Sequence, residues 1–325
     1  VSIALRVAPK PAGSRIAAIG HYQPQLVVTN EDLVARGVDT DDEWIRTRVG
    51  ITERRFAVDE TLLDMAEAAA SKAIANSDIG VGDIDLVILT TSTALIPLPG
   101  GAAELADRLG INAPGAYDVN AACAGFVYAL TCASNAVLAG QARTVLVVAS
   151  EKFTDWLDFS DRSTCIIFAD GAGAAIVTAS DQPEIGPVVW GSDGSHYEAI
   201  RMLTDTHAIA QDGQTVYRWA TSTIGEVCRQ ACADAGVAVA DLAAFIPHQA
   251  NLRIIELIAK KLGITEDSPT VIARDVMVSG NTSAASIPLA MSKMVQRGEI
   301  ASGAPVLVVG FGAGLTYAAQ VVLAP

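Results

Sequence analysis

Short apolar runs bounded by glycine and polar clusters recur along this chain. Residues 86–89, 145–148, 245–246 and 306–309 are uninterrupted, rich in Val, Ile and Leu, and too short for helices. They read as strands buried on both faces. Longer amphipathic or small-residue stretches separate them. The pattern predicts helices ending near Ala75 and Ala235, each leading into a strand. It also predicts helices over 124–138 and 282–295, each leading through glycines to the next strand. This alternation is that of an α/β protein whose sheets are covered by helices.

Residues 304–325 carry no charge and are long enough to cross a bilayer. Gly310, Gly312 and Gly314 interrupt them, and Thr316, Tyr317 and Gln320 follow. Two buried strands joined by a glycine turn account for the segment better.

The chain also repeats itself. Residues 83–90 and 241–248 share one pattern at an offset of 241 − 83 = 158, which sets Thr90 opposite His248. The same offset carries Cys123 onto Asn281, and each is expected to open a small-residue helix. Two similar halves follow, 1–180 and 181–325, meeting where Asp181, Pro183, Gly186 and Pro187 cluster. In open α/β sheets, strand ends and helix starts of this kind face a crevice. Cys123, His248 and Asn281 are therefore expected at a common centre.

Composition narrows the class. A length of 325 residues suits a large α/β domain or two fused ones. The net charge of −14 repels phosphate backbones and anionic lipid, so neither nucleic acid nor a membrane surface is expected as a partner. The five cysteines are odd in number and form no C-x-x-C pair, which argues against a disulfide framework or a zinc site. Cys228 and Cys232 lie one helical turn apart with no nearby His. Reduced thiols in a cytoplasmic protein are expected. The opening segment, 1–11, has no long apolar run, so no secretory signal is expected.

Cys123 sits among small residues, which leave room for a substrate, and a helix N-terminus there favours a thiolate. The ordinary alternative is a small buried apolar residue. His248 follows an apolar strand, unlike His21, His196 and His207, and suits a base or a hydrogen-bond donor; a core histidine is its alternative. Asn281 alone reads as a helix N-cap. Residues 310–314 (GFGAG) match no dinucleotide fingerprint, and 170–173 (DGAG) no phosphate loop. The former can bring a backbone N–H to a substrate oxygen, or simply turn between strands.

The segments 122–126 (ACAGF), 247–251 (PHQAN) and 280–286 (GNTSAAS) resemble the three active-site motifs of β-ketoacyl-ACP synthase III. Residues 42–45 (DEWI), 47–51 (TRVGI) and 168–173 (FADGAG) resemble further motifs of that family, in order, from about residue 14 to the end. The resemblance implies the thiolase fold, a five-layered α/β/α/β/α arrangement of two related halves. It implies an acyltransferase that joins a short acyl-CoA to malonyl-ACP with loss of carbon dioxide, initiating fatty acid or polyketide chains. Cys123 would carry the acyl group, with the N–H groups of Cys123 and Ala313 as its oxyanion hole. His248 and Asn281 would stabilise the enolate left by decarboxylation. No metal or redox cofactor is implied. Trp44, Arg48, Arg162, Ala250 and Asn251 would hold CoA, and Leu98 and Phe168 would border the acyl pocket, Leu98 in a partner subunit. Arg218, Arg253, Lys260 and Lys261 would receive the acidic carrier protein, and a homodimer is implied. Residues 211–216 and 95–101 depart from the family pattern, which leaves the acyl preference open.

Several neighbouring classes fit less well. A thiolase would place a second cysteine in the terminal glycine loop, and 311–315 has none. A papain-type hydrolase uses the same Cys-His-Asn trio but not this repeat. An acyltransferase with another acceptor is the remaining alternative, and a non-catalytic partner subunit would typically lose the cysteine.

Overall fold

A computed structural model describes residues 9–325. The expectation about the opening segment falls almost wholly outside them. Two five-stranded sheets share one topology. The first runs Gly115–Val119, Leu86–Thr90, Thr144–Lys152, Asp170–Ser180, Gly13–Tyr22. The second runs Val271–Ile272, Ala244–Pro247, Pro305–Gly312, Thr316–Leu323, Val189–Ser192. In each, three parallel strands are followed by two antiparallel ones.

Helices Gly125–Leu138 and Ser286–Gln296 lie between the sheets and touch both. Leu62–Ala75 and Gly101–Arg108 cover the outside of the first sheet, and Gly213–Asp234 that of the second. Helix Leu252–Leu262 packs on the last of these. This is the five-layered α/β/α/β/α thiolase fold. Strand alternation explains why the apolar runs are continuous. Val87, Leu89, Leu146 and Val148 face the outer helices, whereas Ile88, Val145 and Val147 face the central pair. Ile246, Val306 and Val308 meet that central core from the other side, and Phe245, Leu307 and Val309 face the outer layer. With both faces buried, the central positions of these strands are apolar on either side. The small residues of the central helices have the same origin. A Cβ at Gly125 would lie 2.2 Å from Thr90 Oγ1, inside contact distance.

The uncharged tail forms two antiparallel strands, as its glycines suggested. Among the described residues, no helix is long and apolar enough to cross a membrane. All five cysteines are free, and all but Cys132 are fully buried.

The repeat needs one correction. Leu86 and Ala244 occupy equivalent ladder positions, which preserves the offset of 158 and the match of Thr90 with His248. Their neighbours Val145 and Val306 are equivalent at 306 − 145 = 161. The turn that opens the central helix shows the same larger offset. It spans Ala122–Ala124 in one half and Ser283–Ala285 in the other, and begins with a positive φ at both Ala122 and Ser283. Asn281 is therefore the counterpart of Asn120, not of Cys123. Both asparagines use Oδ1 to accept the backbone N–H two residues on. Cys123 lies inside its turn, and Asn281 stands in the loop before its own.

Candidate active site

Cys123 lies in the tight turn that feeds helix Gly125–Leu138, where unpaired backbone N–H groups favour negative charge. It is 7 % exposed. The terminal glycine loop presses against it. A Cβ at Gly312 would lie 2.7 Å from Cys123 Cβ and 2.9 Å from Sγ, so no side chain fits there. Burial pushes the thiol pKa up to about 12, against which the Ser283 hydroxyl, 3.4 Å from Sγ, pulls it down.

His248 follows strand Ala244–Pro247, its backbone N–H donating to Val309 at 2.7 Å. Its Nδ1 is 2.8 Å from Ser286 Oγ, which also accepts from the N–H of Gln249 at 3.2 Å. The Ser286 hydroxyl hydrogen is then free to donate to Nδ1, an arrangement that accommodates the ring hydrogen on Nε2. Phe311 meets the imidazole edge-on at 5.5 Å. Burial lowers the imidazole pKa to about 3, with a backbone hydrogen bond to Ser283 partly offsetting it, so the ring is neutral near pH 7. Gln249 pins the strand end. Its Nε2 donates to the carbonyls of Pro247 and Ala273, and its Oε1 accepts from Val276 N–H.

Asn281 is held by a backbone ladder. Its N–H donates to Ile167, and its carbonyl accepts from Ala169. Because Oδ1 is taken by Ser283 N–H at 2.8 Å, Nδ2 is the group left to meet a ligand.

One cavity of about 730 Å³ brings these residues together. Cys123, His248, Asn281, Phe168 and Phe311, all buried, are part of its lining. Trp44, Arg48, Ala250, Asn251, Arg218 and Arg253 line it too. Arg162 does not line it, but its guanidinium stands 4.8 Å from the Trp44 ring centroid, with Arg48 at 5.9 Å. A flat aromatic with guanidinium groups beside it suits stacking of a planar base. A smaller, mostly apolar cavity of about 80 Å³ also opens at Cys123, against Phe153, Phe168, Ile200, Met202 and Ala313. Lys260 and Lys261 lie outside both cavities, exposed in the last turn of helix Leu252–Leu262. The Lys261 ammonium donates to the carbonyl of Thr221. Leu98 is 84 % exposed and borders neither cavity of its own chain.

Sequence reasoning missed Ser286, Ser283 and Glu151. Glu151 ends a buried strand, the same signal that drew attention to His248.

Fold and site together define a condensing enzyme of the thiolase fold, with its cysteine under a glycine loop. Residues 117–194 match 3-oxoacyl-[acyl-carrier-protein (ACP)] synthase III, and residues 232–323 match the C-terminal region of that family. The chain is 52% identical over 317 residues to beta-ketoacyl-[acyl-carrier-protein] synthase III 4 of Streptomyces coelicolor, covering 96% of this chain and 99% of that protein. It is 53% identical to synthase III 2 of Streptomyces avermitilis, with the same coverage. The priming β-ketosynthase of the R1128 polyketide pathway superposes with a TM-score of 0.95 at 43% identity, covering 99% of this chain and 98% of that one. This chain belongs to the β-ketoacyl-[acyl-carrier-protein] synthase III family.

Proposed function

We propose that the protein takes a short acyl group from acyl-CoA onto Cys123 and condenses it with malonyl-ACP, releasing carbon dioxide and initiating a fatty acid or polyketide chain. One observation carries this reading. Neutral His248 and the free amide of Asn281 line the same cavity as a buried cysteine. A trio with two neutral donors suits a step in which negative charge grows on a thioester oxygen. In the acyl-transfer step, the backbone N–H groups of Cys123 and Ala313 receive the tetrahedral oxyanion. Trp44 and Arg162 hold the adenine, and Arg48, Ala250 and Asn251 follow the phosphates and pantetheine. The apolar cavity between Phe153, Phe168 and Met202 takes the acyl chain, and its small volume favours a short one.

In the condensation step, the malonyl thioester oxygen accepts from His248 Nε2 and Asn281 Nδ2 as the carboxylate leaves. The enolate carbon then attacks the acyl thioester and releases the sulfur. The reaction uses no cofactor. Arg218, Arg253, Lys260 and Lys261 form the docking face for the carrier protein, a local positive field on an acidic chain. The enzyme works in the cytoplasm as a homodimer. Leu95, Ile96 and Leu98, 65%, 67% and 84% exposed, are the apolar loop that a partner subunit covers. Light scattering is expected to give twice the chain mass of 33.7 kDa, and a monomer at working concentration counts against this assembly.

The activity itself is tested with malonyl-ACP and a panel of acyl-CoAs, reading the carrier protein by mass. A β-ketoacyl-ACP is the expected product and identifies the starter. An acyl group that stays on the enzyme until an alcohol or amine arrives points instead to transfer without condensation.

A further inference from the structure

Among the buried ionisable groups that the acyl-transfer and condensation steps do not use, Glu151 is the one beside the nucleophile. Glu151 is fully buried at the end of strand Thr144–Lys152. No cation pairs with it among the described residues. Its oxygens accept from Thr93 Oγ1 at 2.7 Å, Ser92 Oγ at 3.0 Å, Ser92 N–H at 3.1 Å, Thr91 Oγ1 at 3.2 Å and Ala284 N–H at 3.4 Å. Ser283, the residue before Ala284, has its hydroxyl close enough to this carboxyl group to favour its charged form. That hydroxyl is also the one 3.4 Å from Cys123 Sγ. Neighbouring residues of one turn thus contact both groups, Ser283 the sulfur and Ala284 the carboxylate.

The nucleophile needs a base. A thiol with a pKa of about 12 is almost entirely protonated at neutral pH. His248, at about 3, holds a proton poorly, and the condensation step uses its neutral form. Burial raises the affinity of Glu151 for a proton above that of an ordinary carboxylate, and its charge bears directly on the thiol. Charge counting favours the pair. Adding a second negative charge to this buried site would be costly. Moving a proton from sulfur to carboxylate keeps the count at one.

We propose that Glu151, acting through the Ser283 hydroxyl, is the proton acceptor for Cys123 and positions its sulfur for attack. The S–H bond breaks and its electron pair stays on sulfur. The Ser283 hydroxyl, which donates to the sulfur at rest, rotates to pass its proton to a Glu151 oxygen and takes the proton from sulfur. Acylation expels coenzyme A as a thiolate that takes its proton from solvent while Glu151 keeps its own; when condensation releases the sulfur as a thiolate, the same two transfers run backward and restore the thiol. The other ionisable groups on neighbouring elements are already engaged. Lys152 pairs with Asp155, Arg201 with Glu198, and Asp170 accepts from Ala57 and Thr154.

The inference rests on Cys123 as the nucleophile, and its test is independent of any acyl-CoA. Alkylation of Cys123 by iodoacetamide is followed by intact mass from acid to alkaline pH in wild type, S283A, E151Q and E151D. Wild type is expected to react with little dependence on pH. S283A and E151Q are expected to slow by about 10²-fold at neutral pH, and then to speed up about tenfold per pH unit as hydroxide takes over. E151D, which keeps the carboxylate, is expected to recover part of the rate and the flatter profile. Should E151Q fail to fold, S283A decides alone. A wild-type rate and profile in S283A, or E151D indistinguishable from E151Q, overturns the proposal. A wild-type protein that alkylates as described but accepts no acyl group refutes the proposed activity and not this relay.

Discussion

Cys123→Ala is expected to take up no acyl group from any acyl-CoA, and its condensation rate to fall by at least about 10³-fold. The reason is that no other thiol is placed to replace the sulfur. Cys165, Cys228 and Cys232 are buried in the core beside the second sheet, and Cys132 packs against the central one. None of the four lines either cavity. The Ala side chain keeps the Cβ against which Gly312 packs, so the loss reflects the missing sulfur and not a collapsed loop. Intact-protein mass after incubation with acyl-CoA measures the adduct, and ACP-bound product measures the turnover. An adduct that persists in the variant would place the acyl group on another residue.

The second large effect separates the two steps. His248→Ala and Asn281→Ala are expected to form the acyl adduct but to lose about 10²–10³-fold in condensation, the usual worth of one donor to a developing oxyanion. In the proposed mechanism each supplies one neutral donor, since His248 Nδ1 faces Ser286 and Asn281 Oδ1 is taken by Ser283 N–H. The sign of the His248 shift adds a pH prediction. Its pKa lies below the ordinary histidine value, so acidification protonates the ring only near about pH 3. Condensation measured on the preformed acyl-enzyme should therefore not fall through the ordinary histidine range between about pH 7 and pH 5. Rapid-quench measurement of adduct discharge separates the steps. Equal loss of acylation in either variant would assign that residue to acyl capture.

The strands were legible because both faces of each sheet are buried, so 86–89, 145–148 and 306–309 carry no polar residue at all. The topology was legible through the repeat, since Leu86 and Ala244 do sit at equivalent positions. The repeat misled at Asn281. From Thr90 to Asn120 is 120 − 90 = 30 residues, and from His248 to Asn281 is 281 − 248 = 33. Three extra residues in the second half shift the register, and a constant offset then aligns Asn281 with the wrong residue. Asn281 reaches the cavity through its bridge to the segment at Phe168, a pairing no local pattern announces. Trp44, Arg48, Ala250 and Asn251 line the cavity, and so do Arg218 and Arg253, which the resemblance assigned to carrier docking, whereas Arg162 does not. Glu151 escaped because a carboxylate at a strand end looks solvated. Only the fold shows Thr91, Ser92, Thr93 and Ala284 closing around it.

The central claim is that an acyl group passes through Cys123 on its way to malonyl-ACP. It is tested most directly by isolating the acyl-enzyme free of acyl-CoA, with the acyl carbonyl labelled with carbon-13, and adding malonyl-ACP for a single turnover. The account predicts that the enzyme returns to its unmodified mass as the label appears in a β-ketoacyl group on the carrier protein, with carbon dioxide released in equal amount. Label that stays on the enzyme while malonyl-ACP is consumed, or that reaches the carrier protein without the malonyl carbons, would contradict it.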